Sequence, residues 1–263
     1  MSLVLFLISV VGGFFSGLLG VGGAVLLIPL MFAVPPLVGA GALTMHQISG
    51  LSMIQVLFSS VTGSLTHMHN ELLHQKTVLS IGIPMGLAAF GGAWASRIMS
   101  EEMLLLIFGI LVLIAFIMLL HDRENMGSEA GTYTFRLLPS IACGGCVGFL
   151  SGVVGTGGGF ILIPMMIKFL KIPLKLAVGS SLGILFIGAL FGSAAKMLTA
   201  QIDFFYLLPV LLGSIPSSFA GAMVSKKIAP SRLHRTLLSL LLLILLKTWY
   251  DLFKILSSHM TAP

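Results

Sequence analysis

Residues 12–31, GGFFSGLLGVGGAVLLIPLM, are repeated in outline by residues 148–166, GFLSGVVGTGGGFILIPMM. At an offset of 135, starting from Gly13, 11 of 19 positions are identical, among them Ser16/Ser151, Gly17/Gly152, Gly20/Gly155, Gly22/Gly157, Gly23/Gly158 and Pro29/Pro164. Each copy is an apolar stretch broken by glycine. A helix loses about 1 kcal/mol for each interior glycine relative to alanine, so a dense run unwinds it. Two copies of one break restrict the chain to a fold of two related halves. Unwound backbone in an apolar segment is tolerated only where protein buries it or a cavity is lined by it.

Hydrophobic residues make up 57% of the chain and charged residues 8%, against about 25% charge in a soluble domain. Mean hydropathy is +1.11. Such a chain cannot cover itself for water, so an all-α polytopic membrane protein is expected, with the lipid bilayer as its surroundings. The first 20 residues lack a positive n-region and an A-x-A pattern, which argues against a removed signal peptide. The net charge of +6 does not point to nucleic acid. The basic residues are scattered over short loops with no basic run or aromatic interleaving, and they read as topology signals. No G-x-x-x-x-G-K-[ST] motif supports nucleotide-driven transport. No cluster has metal-ligand spacing, and no cofactor or metal is expected.

Segments long enough to cross and nearly free of charge lie at 44–65, 77–98, 103–120 (a little short), 176–196 and 204–225. A sixth, 236–256, ends in Lys247, Trp249, Tyr250, Asp251 and Lys254, the composition of an interfacial anchor. The duplicated regions differ: 2–16 and 22–34, like 137–151 and 158–170, are each short of the roughly 20 residues that a span needs. Each region is one broken helix or a hairpin of half-helices. In the hairpin arrangement one face carries Lys76, Arg123, Arg136, Lys168, Lys171, Lys175, Lys226, Lys227, Arg232 and Arg235, ten of the fourteen basic residues. A single crossing per region divides them eight to six. The positive-inside rule prefers the first division.

The expected fold is therefore two inverted repeats, each a half-helix re-entrant hairpin plus three transmembrane helices, with eight-span parallel repeats as the alternative. Residues 1–120 form the first repeat, 121–136 a cytoplasmic linker and 137–263 the second repeat. Five segments per half, an odd number, invert the second half relative to the first. Inverted repeats around a midplane site suit alternating access.

Ser16 to Gly23 with Pro29, and Ser151 to Gly159 with Pro164, resemble the signature of the TauE/SafE sulfite-exporter family, also described as sulfonate uptake permeases. Ala177-Val178-Gly179-Ser180-Ser181-Leu182 is similar to the A-x-G-T-S-L stretch of that family. The resemblance covers nearly the whole chain. It implies secondary transport of small sulfur-containing anions, such as sulfite or sulfoacetate, in a prokaryotic cell (inner) membrane. The first half departs from the pattern, with Thr44-Met45-His46-Gln47 where the second has Gly179 to Leu182, so the two halves contribute different groups.

A sulfonate or sulfite brings negative charge and three acceptor oxygens. Helix starts supply free N–H groups and about half a positive charge without the cost of inserting a cation in lipid. The expected anion cradle comprises Gly20, Gly22, Gly23, Gly155, Gly157, Gly158 and Gly159, with hydroxyls from Ser16, Ser151, Thr156, Ser180 and Ser181. The span 44–65 adds His46, Gln47, Ser49 and Gln55. Ser52, Gln55, Ser59, Thr62 and Thr66 recur at helical spacing as a polar stripe. His46 is placed to bond the anion or carry a coupling proton, or else to bond a carbonyl near the interface. Lys196 reads as a snorkelling interfacial lysine, with steering of anions at the outer mouth as the alternative, and His67, His69 and His74 as solvated loop residues.

Two other classes compete with a carrier: a passive anion channel, and an intramembrane thiol oxidoreductase using Cys143 and Cys146. The C-x-x-C spacing lacks the βαβ context that gives it weight, so close helix packing accounts better for these small residues. A scaffold protein has no need of unwound backbone at membrane depth. The residues carry no signal for an oligomeric state.

Overall fold

In lipid every backbone N–H and C=O must be satisfied within the protein, and a helix does this inside one segment. The computed structural model describes residues 1–68, 75–121, 137–225 and 227–260, with side chains for 1–64, 75–121, 137–173, 176–225, 227–229 and 231–254. These form ten helices: α1 (Ser2–Leu19), α2 (Ala24–Leu37), α3 (Met45–Met68), α4 (Gln75–Ser96), α5 (Glu101–His121), α6 (Leu137–Val154), α7 (Gly159–Lys168), α8 (Leu174–Leu198), α9 (Phe204–Ser225) and α10 (Pro230–Met260). Among the described residues seven helices, α1, α4, α5, α6, α8, α9 and α10, are long and apolar enough to cross a membrane. The protein is an all-α, multi-pass integral membrane protein. Apolar stripes such as Leu79, Ile83 and Leu87 on α4 are more than half exposed, a surface suited to lipid. The linker 122–136 and the side chains of Thr66, His67, His69, His74, Lys175 and Lys226 lie outside the described residues.

The arms of the two glycine-broken regions correct the sequence reading. Instead of ending at 16 and 151, α1 and α6 each run on to Leu19 and Val154, reaching 18 residues or about 27 Å. They are full-length helices, not half-helices. The cause is Gly17 and Gly152, which stay helical because their bare backbones are used for helix crossing. A Cβ on Gly17 would lie 1.9 Å from the Ser218 carbonyl oxygen, and one on Gly152 would lie 2.2 Å from that of Ala89. Only α2 and α7 are short, at 14 and 10 residues. Each turns back along its predecessor: Gly23 abuts Gly12 and Ser16, and Gly158 abuts Val147 and Ser151.

Glycine spacing also sets which helices meet. Gly144, Gly148 and Gly152 of α6 sit on Ile81, Met85 and Ala89 of α4, a parallel pairing held at one register. α1 and α9 pair in parallel in the same manner, Gly13 and Gly17 meeting Ser214 and Ser218, while Gly213 and Gly221 meet Phe6 and Phe14. Small residues every four positions flatten a helix face and let backbones approach. Between these pairs α3 and α8 run antiparallel, Gly63 against Leu182 and Met53 against Gly192. They occupy the centre: 72% of the α8 span is buried, against no more than 50% of the other six membrane-capable helices, and α3 is buried continuously from Ile48 to Val56. At the far end α10 packs on α5, Leu252 and Thr248 lying over Gly109. Its tail pairs Lys247 with Asp251 and holds Lys247 over the Tyr250 ring at 5.9 Å.

Candidate functional site

The two glycine turns are built alike. The Gly20 N–H donates to the Ser16 carbonyl at 2.9 Å and the Gly155 N–H to that of Ser151 at 2.7 Å, closing α1 and α6. Backbone φ is then positive at Gly20, Gly22 and Gly23 (68°, 84°, 69°) and at Gly155, Gly157 and Gly158 (81°, 66°, 78°). A side chain in that region costs about 1–2 kcal/mol per residue, which is why these positions are glycine in both copies. Gly23 and Gly158 then cap α2 and α7 without any side-chain hydrogen bond.

Tertiary packing brings the two turns together. A Cβ placed on Gly159 would lie 2.4 Å from the carbonyl carbon and oxygen of Val21, so the hairpins touch backbone to backbone. Val56, midway along α3, touches both: a Cβ on Gly22 would be 3.2 Å from it and one on Gly157 2.5 Å. From this point the turns extend toward opposite ends. Gly155 sits against Ser49 near the start of α3, about 10 Å along the helix from Val56. Gly20 sits against the start of α8, where the Ser181 hydroxyl donates to the Gly20 carbonyl at 2.9 Å. Both turns are buried throughout.

Around the meeting point stand polar atoms with nothing to bond. Ser49 Oγ, Ser52 Oγ, Thr156 Oγ1 and both side-chain polar atoms of Gln55 are buried without a hydrogen-bond partner. The Gln55 amide nitrogen lies 2.9 Å from a Cβ built on Gly23, so it borders the first turn. Each unsatisfied buried polar group costs about 1–3 kcal/mol, and native structures hold few of them. Five such atoms, on α3 and on the second turn, mark this region as a candidate site.

The remaining sequence-predicted residues fall in different places. Ser16 is spent on Ser59, Oγ to Oγ at 2.9 Å, and Ser151 on the Gly148 carbonyl at 3.0 Å. Ser180 is buried on α8 beside Ser181. His46 and Gln47 stand about 14 Å along α3 from Val56, at the start of the helix. His46 Nε2 donates to the Ser96 carbonyl at 3.2 Å. Gln47 accepts the Thr44 N–H at 3.0 Å and donates to Asp203 at 3.5 Å. Of the polar stripe, Ser52, Gln55 and Ser59 face the bundle interior, and Thr62 donates to Ser218 at 3.1 Å.

Lys196 overturns the snorkelling expectation. It is fully buried, with 0% exposure. Its ammonium donates to Ser96 Oγ and Gln201 Oε1, each at 2.7 Å, and to the Val153 carbonyl at 3.4 Å. Ser52, Val56, Ser96 and Gln201 also border this region, and pattern reading did not place them in the candidate site. The only signal for Lys196 was its standing as a lone charge in an uncharged span.

A bundle of membrane-crossing helices that closes around buried, glycine-lined helix breaks belongs to the class of multi-pass membrane transporters. The sequence profile of the family described as sulfite exporter TauE/SafE matches residues 5–248, and the chain belongs to that family. Probable membrane transporter protein YunE of Bacillus subtilis is 25% identical over 241 residues, 85% of this chain and 88% of the relative. A probable membrane transporter protein of Methanocaldococcus jannaschii is 27% identical, covering 90% and 91% of the two chains. YjnA of Bacillus subtilis, again a probable membrane transporter protein, is 27% identical with 92% and 97% covered. No solved structure matches the chain. The protein is a membrane transporter rather than an enzyme, and Cys143 and Cys146 are free thiols on α6, one buried and one exposed.

Proposed function

We propose that this chain is a secondary carrier of small sulfur-containing anions, sulfite and sulfonates such as sulfoacetate, bound where the two glycine turns meet. The observation that carries the reading is the set of unpartnered atoms on Ser49, Ser52, Gln55 and Thr156 around turns whose helix starts carry no side-chain cap. Hydroxyl and amide hydrogens, with the positive dipole ends of α2 and α7, suit three oxyanion oxygens. Positive φ lets glycine backbone approach the anion without a Cβ between them.

Inverted repeats fit the packing, with α1 to α5 corresponding to α6 to α10. α1 on α9 then mirrors α6 on α4, and the antiparallel α3–α8 pair lies on the pseudo-axis. Residues 121–136 join the halves as a cytoplasmic linker. The burial of both turns favours a carrier over an open channel, since an anion reaches them only when the hairpins move relative to α3 and α8. The two ends of the site, Gly20 with Ser181 and Gly155 with Ser49, are the places such opening would alternate.

The test is thermal-shift binding of purified protein to sulfite, thiosulfate, sulfoacetate, taurine, an aryl sulfonate, acetate and sulfate. Stabilisation by a sulfur oxyanion that disappears in Gln55→Leu supports the reading. Silence across the panel, or equal stabilisation in Gln55→Leu and Thr156→Val, refutes it. Saturable counterflow in liposomes distinguishes carriage from passive conduction.

A further inference from the structure

The strongest feature left unused is Lys196. A cation inside a membrane-spanning bundle is expensive, and such residues pair with one another or mark a substrate path. Lys196 has no such pairing: among the described residues its ammonium meets only the neutral oxygens of Ser96, Gln201 and Val153. Glu101 and Asp203, at the same end of the bundle, are engaged otherwise, Glu101 by the Met45 N–H and Asp203 by Gln47 and the Phe205 N–H. The charge is therefore hydrogen-bonded but not neutralised.

Its position is next to the second glycine turn. Val153, whose carbonyl accepts from Lys196, lies in the last turn of α6 just ahead of Gly155. Gly155 abuts Ser49, whose hydroxyl has no partner. The next residue, Gly50, packs on the backbone of Gln201, which holds the ammonium. A positive charge and an idle hydroxyl thus border the same turn. The first half has no equivalent, since the position 135 residues earlier is Val61.

We propose that Lys196 is the charge-bearing ligand of the transported anion, taking one of its oxygens at the Gly155 end of the site in exchange for its bonds to Ser96 and Gln201. This rests on the glycine-turn reading above and adds to it the group that selects for negative charge. It accounts for a buried ammonium held only by neutral, exchangeable acceptors, and it makes the two ends of the site unequal.

The experiment measures sulfite affinity and thermal midpoint for wild type, Lys196→Gln and Lys196→Arg in detergent, and KM for sulfite in proteoliposomes. Lys196→Gln keeps a donor for Ser96 and loses the charge. The expected result is a weakening of sulfite binding by roughly tenfold or more, a matching rise in KM, and an unliganded midpoint equal to or above wild type. Lys196→Arg is expected to restore most of the affinity. Wild-type affinity in Lys196→Gln overturns the inference and leaves the glycine-turn site standing. A large drop in midpoint with affinity intact assigns a structural role and also overturns it. Failure of wild type to bind any anion removes the underlying reading as well. A measurement needing no variant compares ethanesulfonate with its neutral isostere ethanesulfonamide on wild type. Preference for the anion supports charge recognition, and equal binding overturns it.

Discussion

Gly159→Ala tests the contact on which the site depends, because Gly159 is helical and free of positive-φ strain. It opens α7, where alanine is intrinsically better than glycine by up to about 1 kcal/mol. Its Cβ, however, would sit 2.4 Å from the carbonyl carbon and oxygen of Val21, whereas non-bonded carbon atoms prefer about 3.5 Å or more. The hairpins must part by about 1 Å, and Val21 offers backbone that cannot rotate away. Overpacking of this kind costs about 1–3 kcal/mol. Taking the upper end and subtracting the propensity gain leaves about 2 kcal/mol of destabilisation, a drop of roughly 4–8 °C in Tm for a chain of this size. Parting the hairpins also moves the donors of the proposed site relative to one another, so sulfite transport is expected to fall. Thermal unfolding followed by Trp94 and Trp249 fluorescence, with sulfite counterflow in proteoliposomes, reads both effects. Gly145→Ala and Gly91→Ala are the controls, since a Cβ at either meets nothing within 4 Å, and both are expected at or above wild-type stability. A Gly159→Ala protein with wild-type Tm and transport refutes the hairpin contact.

At the Val56 contact, Gly157→Ala is expected to cost about 1–2 kcal/mol more than Gly22→Ala, because both share positive-φ strain but only Gly157 is pressed to 2.5 Å. Val56→Ala should recover that excess in the Gly157 background alone, and equal midpoints for the two glycine variants contradict the asymmetry. Gln55→Leu removes two unpartnered buried atoms and should raise unliganded stability by about 1–3 kcal/mol while abolishing sulfite binding. A less stable variant with intact binding reverses that argument. Replacing Cys143 and Cys146 together by alanine is expected to leave counterflow within about twofold of wild type, and a loss of transport would show that a thiol takes part.

What was legible in the chain was local. The glycine turns were found from sequence because positive φ is a property of single residues, and the duplicated run puts glycine wherever it occurs. Helix ends that depend on neighbours were not legible. Gly17 and Gly152 look like part of the break, yet they continue their helices because α9 and α4 press against them. Gln55 was recognised as a polar residue on an inward stripe, but nothing in its spacing showed that it would be left without a partner. His46 and Gln47 were placed in the site from their position on a span, while the structure occupies them with Ser96, Thr44 and Asp203 at its end.

By itself the sequence determined that the chain lives in a membrane, that one glycine-rich break occurs in it twice, which glycines make the turns, and which family it belongs to. The first three follow from hydropathy, repetition and the conformational freedom of glycine, all carried by neighbouring residues, and the family from the motif resemblance and the profile match. Tertiary structure alone decided that the two breaks meet on Val56, that α1 and α6 each pack along a helix of the opposite half, and that Lys196 is buried between Ser96 and Gln201. In a bilayer helices gain little from burying apolar surface against one another, so their partners are selected by close backbone fit and polar bonding between segments 60 to 200 residues apart. No local pattern encodes that selection, and it is that selection which assembles the site.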